Sequence, residues 1–159
     1  MIYKDVFRAL AKKKVRYLVI GGVAVNLYGF ARTTLDLDLV IALDQNNRTQ
    51  FYQTMRTLGF KSKKPALAKK LVCGEISPGK TRVVSFYRDE FELIDVFIQS
   101  PLNFEKAFNT RKTFRSEGLS IPTVSYTELL AMKKASGRDQ DLIDIGYLKK
   151  IYLGNKNEK

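Results

Sequence analysis

Residues 17–41 read YLVIGGVAVNLYGFARTTLDLDLVI, and this order of apolar and polar positions leaves little freedom in local structure. RYLVI, from Arg16 to Ile20, is a short apolar strand. Gly21-Gly22 follows, then an apolar helical stretch to Gly29. From Leu35, LDLDLVIALD alternates strictly and reads as a second strand. Strand, Gly-Gly and helix in succession set bare backbone amides at a helix start beside the end of a sheet. Glycine allows close approach there, and the amides and helix dipole favour an anion. Arg32 and Thr34, just before the second strand, offer a charged fork and a hydroxyl to the same anion.

On that strand Asp36 and Asp38 share one face, roughly 6.6 Å apart along it. Leu35, Leu37, Leu39 and Ile41 take the other face, toward the core. Val40 and Ala42 continue the aspartate face, so it should be covered further along. A third acid, Asp95 in FELIDVFI, shares a face with Phe91, Leu93 and Phe97. An ionised carboxylate is costly on such a face unless it is paired or coordinated to a metal. Should the two strands be neighbours, three carboxylates converge beside the glycine turn, as Mg²⁺ ions on a nucleotide require. The plainer alternatives are a half-exposed strand with its acids in water, and a buried salt bridge from Asp95 to an arginine.

The remainder reads as mixed α+β in a single domain of 159 residues, with a sheet-containing core over 1–122 and C-terminal helices over 123–159. A helix is expected over 2–13, and NRTQFYQTMRTLG forms another, closed by Gly59. Residues 60–81 are basic and irregular. TRVVSFYR and FELIDVFI form a hairpin about Arg88-Asp89-Glu90, and RKTFRSEGLSIPTV a further strand pair. Ser125 and Glu128 make a capping box for SYTELLAMKKAS, which Gly137 ends. Asp139 caps a last helix to about Tyr152, with GNKNEK as a frayed tail.

GEISPGKT, residues 74–81, fits the phosphate-loop pattern G-x-x-x-x-G-K-[ST]. A working loop of that kind needs a helix starting at its Lys-Thr. RVVSFYR follows instead, a β-prone stretch, so the match is a decoy. Lys80 is left as part of a basic rim.

The chain holds no histidine and one cysteine, Cys73, which excludes His-dependent nucleophilic and acid–base chemistry, zinc on His or Cys, and an internal disulfide. Its net charge of +12 attracts polyanions or acidic partners, or serves simply as a solvated surface. No apolar run is long enough to span a bilayer and no signal peptide is evident, so a cytoplasmic protein without membrane contact is expected.

Three segments resemble the DNA polymerase β-like nucleotidyltransferases, in particular the small bacterial branch of minimal and abortive-infection-toxin-like proteins. They are GGVAVNLYGFARTTLDLDLVI with its G-G…R-x-T-x-D-x-D pattern, the strand aspartate in ELIDVF, and LLAMKKASGRDQDLIDI near the C-terminus. Members commonly carry Gly-Ser at the turn; Gly21-Gly22 here lacks that hydroxyl. The resemblance implies a small mixed-sheet nucleotidyltransferase fold with helices packed on it and a C-terminal helical pair. It implies transfer of a nucleoside monophosphate from an NTP, ATP being the expected nucleotide, to a hydroxyl on RNA such as tRNA, on a protein, or on a small molecule. The Gly21 and Gly22 amides, with Arg32, Thr34 and the inward-facing Lys133, would hold the nucleotide. Asp36, Asp38 and Asp95 would bind two Mg²⁺ and carry the catalysis. Arg138, Asp141 and Asp144 match the C-terminal motif, the two acids chiefly as structural groups. An antitoxin partner accompanies that branch. A catalytically degenerate fold that only binds nucleotide or nucleic acid is the alternative.

Overall fold

The computed structural model describes residues 2–157. In chain order the elements are α1 (Lys4–Lys12), β1 (Tyr17–Ile20), α2 (Gly21–Leu27), β2 (Asp36–Ile41), α3 (Gln45–Thr57), α4 (Pro65–Val72), β3 (Val83–Arg88), β4 (Glu92–Phe97), α5 (Phe104–Asn109), β5 (Lys112–Ser116), β6 (Leu119–Thr123), α6 (Tyr126–Ser136) and α7 (Asp139–Asn157). The strands form one mixed sheet in the order β3-β4-β2-β1-β6-β5. The β2–β4 and β1–β6 pairs are parallel, whereas β1–β2, β3–β4 and β5–β6 are antiparallel.

The core follows from period-2 burial. Leu37, Leu39, Ile94, Val96, Val84 and Phe86 turn to one face of β2, β4 and β3, each buried. Helix α3 lays Phe51 and Tyr52 edge-on against Phe86 on that face. β1 is buried at all four positions, as befits a central strand covered on both faces. Helix α2 packs over β1 and β2, and α6 pairs with α7.

Capping explains the helix boundaries. Asp44 accepts from the Asn47 N–H (2.9 Å) and Ser125 from the Glu128 N–H (3.2 Å), and Gly137 closes α6 in the left-handed region. Asp139 is the first residue inside α7 rather than its cap; Asp141, two residues further in, reaches back to accept from the Arg138 N–H (3.3 Å). The tail expected from Gly154 is helical to Asn157, and Glu158 and Lys159 lie outside the described residues.

Residues 60–81 are less irregular than their charge implies. Pro65 opens α4, and Ala68, Leu71 and Val72 bury the spacing of a helical stripe. The short α5 likewise stands where no element was expected, with Phe104 and Ala107 buried. GEISPGKT is a helix end, a turn and a strand approach. Gly74 follows α4, the Thr81 N–H reaches Pro78 O (2.9 Å), and β3 begins at Val83. No helix starts at Lys80-Thr81.

Two apolar positions depart from the pattern. Leu35 precedes β2 and is 55% exposed, and Phe91 sits in the β3–β4 turn at 70% exposure. Among the described residues no helix is long and apolar enough to cross a membrane.

Candidate active site

Lateral register across the sheet brings the sequence-predicted acids together. Ile20, Asp38, Asp95 and Ser85 form one row over β1, β2, β4 and β3, and Asp36, Leu93 and Tyr87 form the next. Partners in register point to the same face, so Asp38 and Asp95 stand side by side, with Asp36 one step along β2. Burial, and then the negative charges of Asp95 and Asp36, push the Asp38 carboxyl up to about 6, against the opposing pull of Lys133 and Arg138. Leu93, Asp95 and Phe97 are only half-buried, so the apolar enclosure expected around Asp95 is looser than its neighbours imply. No arginine pairs with it among the described residues; the Ser85 hydroxyl donates to its Oδ1 at 2.5 Å.

The glycine turn is shaped by what lies against it. Gly21 has φ +65°, and a Cβ there would sit 2.0 Å from Asp38 Oδ2. A Cβ on Gly22 would meet Arg32 Nη2 and Thr34 Oγ1, each at 2.6 Å. Both glycines therefore leave room for side chains that the sequence reading gathered around them. Asn26, on α2, clamps the loop by donating to Arg32 O (3.0 Å) and accepting from the Arg32 N–H (3.1 Å). The Tyr3 hydroxyl stands against the carbonyls of Leu35 and Leu93 and accepts from the Leu93 N–H (3.0 Å), tying the start of β2 to β4 beside Asp36.

Lys133 does turn inward, at 5% exposure, but its anion is supplied by the protein. Its Nζ lies 2.8 Å from both Asp141 Oδ1 and Asp144 Oδ2. Asp144 also holds Arg32 Nε at 3.0 Å, and Asp141 accepts from Arg138 Nε at 3.0 Å. Burial opposes the charge on Asp141, yet hydrogen bonds from Lys133, Arg138 and Ser136 outweigh it and hold its carboxyl well below the usual range. Asp141 and Asp144 are thus the structural groups their position suggested, and they place Arg32 and Lys133 at the rim of the site. A cavity of about 390 Å³ opens here, lined by Gly21, Asp38, Arg82, Phe97, Met132 and Lys133.

Among the described residues no three acidic, His or Cys side chains are drawn together as a finished metal cage. Like charges in this spacing repel, and Ser85 occupies one oxygen of Asp95. The sequence reading overlooked Ser85, Tyr3, Asn26 and Arg82. Of these only Ser85 had a usable signal, since a hairpin centred on Glu90 sets it opposite Asp95.

No protein-family profile and no curated protein matches the sequence. Solved structures do. A lincosamide antibiotic adenylyltransferase, LnuA, bound to lincomycin, superposes with a TM-score of 0.65 at 17% identity, over 92% of this chain and 94% of its own. An antigenic nucleotidyltransferase-like protein from Paracoccidioides brasiliensis matches at 0.61 and 21%, over 91% of this chain and 72% of that one. ANT(2″)-Ia in complex with adenylyl-2″-tobramycin matches at 0.59 and 11%, over 93% of this chain and 89% of that one. At such identities the likeness is one of architecture. The mixed sheet, with its glycine turn set against strand aspartates, is the polymerase β-like nucleotidyltransferase fold, and that is the fold of this chain.

Proposed function

We propose that this protein is a Mg²⁺-dependent nucleotidyltransferase that moves a nucleoside monophosphate from an NTP, ATP foremost, to an acceptor hydroxyl. The observation that carries the reading is the register of Asp38 with Asp95, beside Asp36 and under Gly21. The donor set suits a hard cation: it is all oxygen and already dense in negative charge, as the raised Asp38 carboxyl reflects. Arg32 Nη2 and Thr34 Oγ1, each 2.6 Å from where a Gly22 Cβ would lie, set a cation and a hydroxyl against the glycine turn, a donor pair that suits phosphate oxygens.

In this reading Asp36, Asp38 and Asp95 hold the metal. Bound Mg²⁺ would supply charge stabilisation at the attacking and leaving oxygens. The Gly21 and Gly22 amides and the Arg32 guanidinium bind the triphosphate, and Lys133 supports Arg32 through Asp144, the carboxylate that both cations share. Asp95 accepts the proton of the acceptor hydroxyl, whose oxygen forms the new bond to the α-phosphorus. The bond from that phosphorus to the β-bridging oxygen breaks, and pyrophosphate leaves. Ser85 orients Asp95 for this step by donating to its other oxygen.

Incubation with α-labelled ATP, Mg²⁺ and cell extract tests the reading. The wild type labels an acceptor, and the double variant Asp36→Ala/Asp38→Ala does not; label that persists in the double variant rejects the site. Calorimetry with Mg²⁺-ATP gives a second check. Binding is lost in Asp38→Ala and retained in Lys80→Ala, because Lys80 lies on a strand approach and not on a phosphate loop.

A further inference from the structure

The sheet ends on β3, and part of that strand's outer edge is open. Its neighbour β4 lies antiparallel, so alternate residues of β3 turn their backbone N–H and C=O inward to β4 or outward to the edge. Tyr87 marks the outward set, because its N–H and C=O pair with Lys61 at 2.8 and 2.9 Å. Counting in twos, Ser85 and Val83 turn the same way. Among the described residues Lys61 alone bridges to this edge, and the chain turns off into α4 at Pro65 before a second pair forms. The N–H and C=O groups of Val83 and Ser85 are left facing outward with no strand beside them.

A groove of about 500 Å³ runs along this edge. Val83 and Ser85 form one wall, and Leu67 and Leu71 of α4, with Lys63 and Lys64 of the loop before it, form the other. Leu67 stays 42% exposed there, although Ala68 beside it is buried. Residues 61–82 also carry seven lysines and arginines against the single acid Glu75, which is half of the net +12. All seven are exposed. Among the described residues none of them joins an ion pair, whereas Arg16, Arg32, Arg88, Lys133 and Arg138 are each neutralised by a carboxylate. Lysines that guard a sheet edge stand on the edge strand itself. β3 carries none, and the lysines here lie across the groove from it.

We infer that this groove binds an extended peptide of a partner protein, one in which acidic and apolar residues alternate. Its backbone takes up the ladder where Lys61 leaves it, pairing with Ser85 and Val83. Side chains on one face of the added strand pack against Leu67 and Leu71, and the lysines of the rim answer the carboxylates between them. In strand addition of this kind the main-chain bonds give affinity and the alternate side chains give specificity. A nucleic acid has no amide ladder to offer the edge, and the apolar wall gives its phosphates nothing. A second copy is disfavoured by the same charge, since β3 against β3 would bring two sets of these lysines together. Nothing in this docking involves Asp95 or a nucleotide.

Fluorescence anisotropy with a labelled peptide of about ten residues, alternating valine and glutamate, measures the docking directly. The wild-type protein should bind it, and Lys63→Glu/Lys64→Glu should weaken binding by about tenfold or more and flatten its salt dependence. Val83→Pro removes an outward N–H while sparing the β3–β4 ladder, and should weaken binding by about tenfold at unchanged salt dependence. The same peptide N-methylated at every amide keeps each charge and side chain and should not bind, a control that leaves the protein untouched. Hydrogen exchange in the complex should slow at the Val83 and Ser85 amides and stay unchanged at Val84 and Phe86. Failure of the wild type to bind the peptide, or equal binding of the N-methylated form, overturns the inference. So does equally tight binding of polyglutamate or of single-stranded DNA of matching charge, which would leave only a surface for polyanions. Self-association of the protein that Val83→Pro abolishes overturns it too, by making a second copy the occupant of the edge.

Discussion

Replacing Asp38 with asparagine should stabilise the metal-free protein while destroying its chemistry. Burial and the neighbouring Asp95 and Asp36 raise the Asp38 carboxyl from an ordinary 3.8 to about 6. At about 1.36 kcal/mol per unit, the ionised group costs the folded state about 3 kcal/mol. A carboxyl with a raised folded value holds its proton more tightly when folded, so stability falls as pH rises. The penalty is nil below 3.8, grows toward about 6, and is complete above that. The amide of the Asp38→Asn variant carries no charge but must still be satisfied where it is buried, so a gain of about 1–3 kcal/mol is expected. For a chain of 159 residues that corresponds to a Tm rise of roughly 3–8 °C. Thermal melts in EDTA near about pH 7.5 should show the gap, and melts near about pH 4 should show it nearly closed. Saturating Mg²⁺ should then lift the wild type and not Asp38→Asn, since a ligand stabilises only the state that binds it. A variant melting at or below wild type at the higher pH would refute the argument, as would a gap of equal size at both pH values.

Lys133→Ala leaves Asp141 and Asp144, each no more than 1% exposed, without their shared cation. Breaking a buried pair in this way should lower the urea-denaturation free energy by about 3–5 kcal/mol. In Gly21→Ala the new methyl would lie 2.0 Å from Asp38 Oδ2 at a backbone φ of +65°. Displacement of Asp38 by about 1 Å should reduce labelling of the acceptor about 100-fold. The backbone strain should lower the urea-denaturation free energy by only about 1–2 kcal/mol.

The site was legible in the sequence to the extent that it is built from strand periodicity. Asp36 and Asp38 alternate with Leu37 and Leu39, and Asp95 with Ile94 and Val96, so their shared faces follow from counting in twos. Proximity of the two strands was not legible, because the parallel β2–β4 pair joins segments separated by two helices and another strand. The same limit hid the partners of Lys133: its inward turn could be read from helical spacing, but the fold of α7 over α6 decides that aspartates rather than phosphates meet it. Helix α4 was obscured by Lys63, Lys64, Lys69 and Lys70, whose charge masks the stripe of Ala68, Leu71 and Val72. Leu35 and Phe91 misled for the opposite reason: each continues an apolar alternation one step past the end of its strand, where the pleat no longer turns it inward.

The tie from Asp144 to Arg32 joins segments that are made far apart in time as well as in sequence. A ribosome makes the glycine turn and its arginine early and the aspartate that steadies them more than a hundred residues later. Until that aspartate emerges and α7 docks, the half-made chain has the sheet carboxylates but no fixed guanidinium beside them. Under the proposed function, the grip on a triphosphate is therefore complete only once α7 has docked.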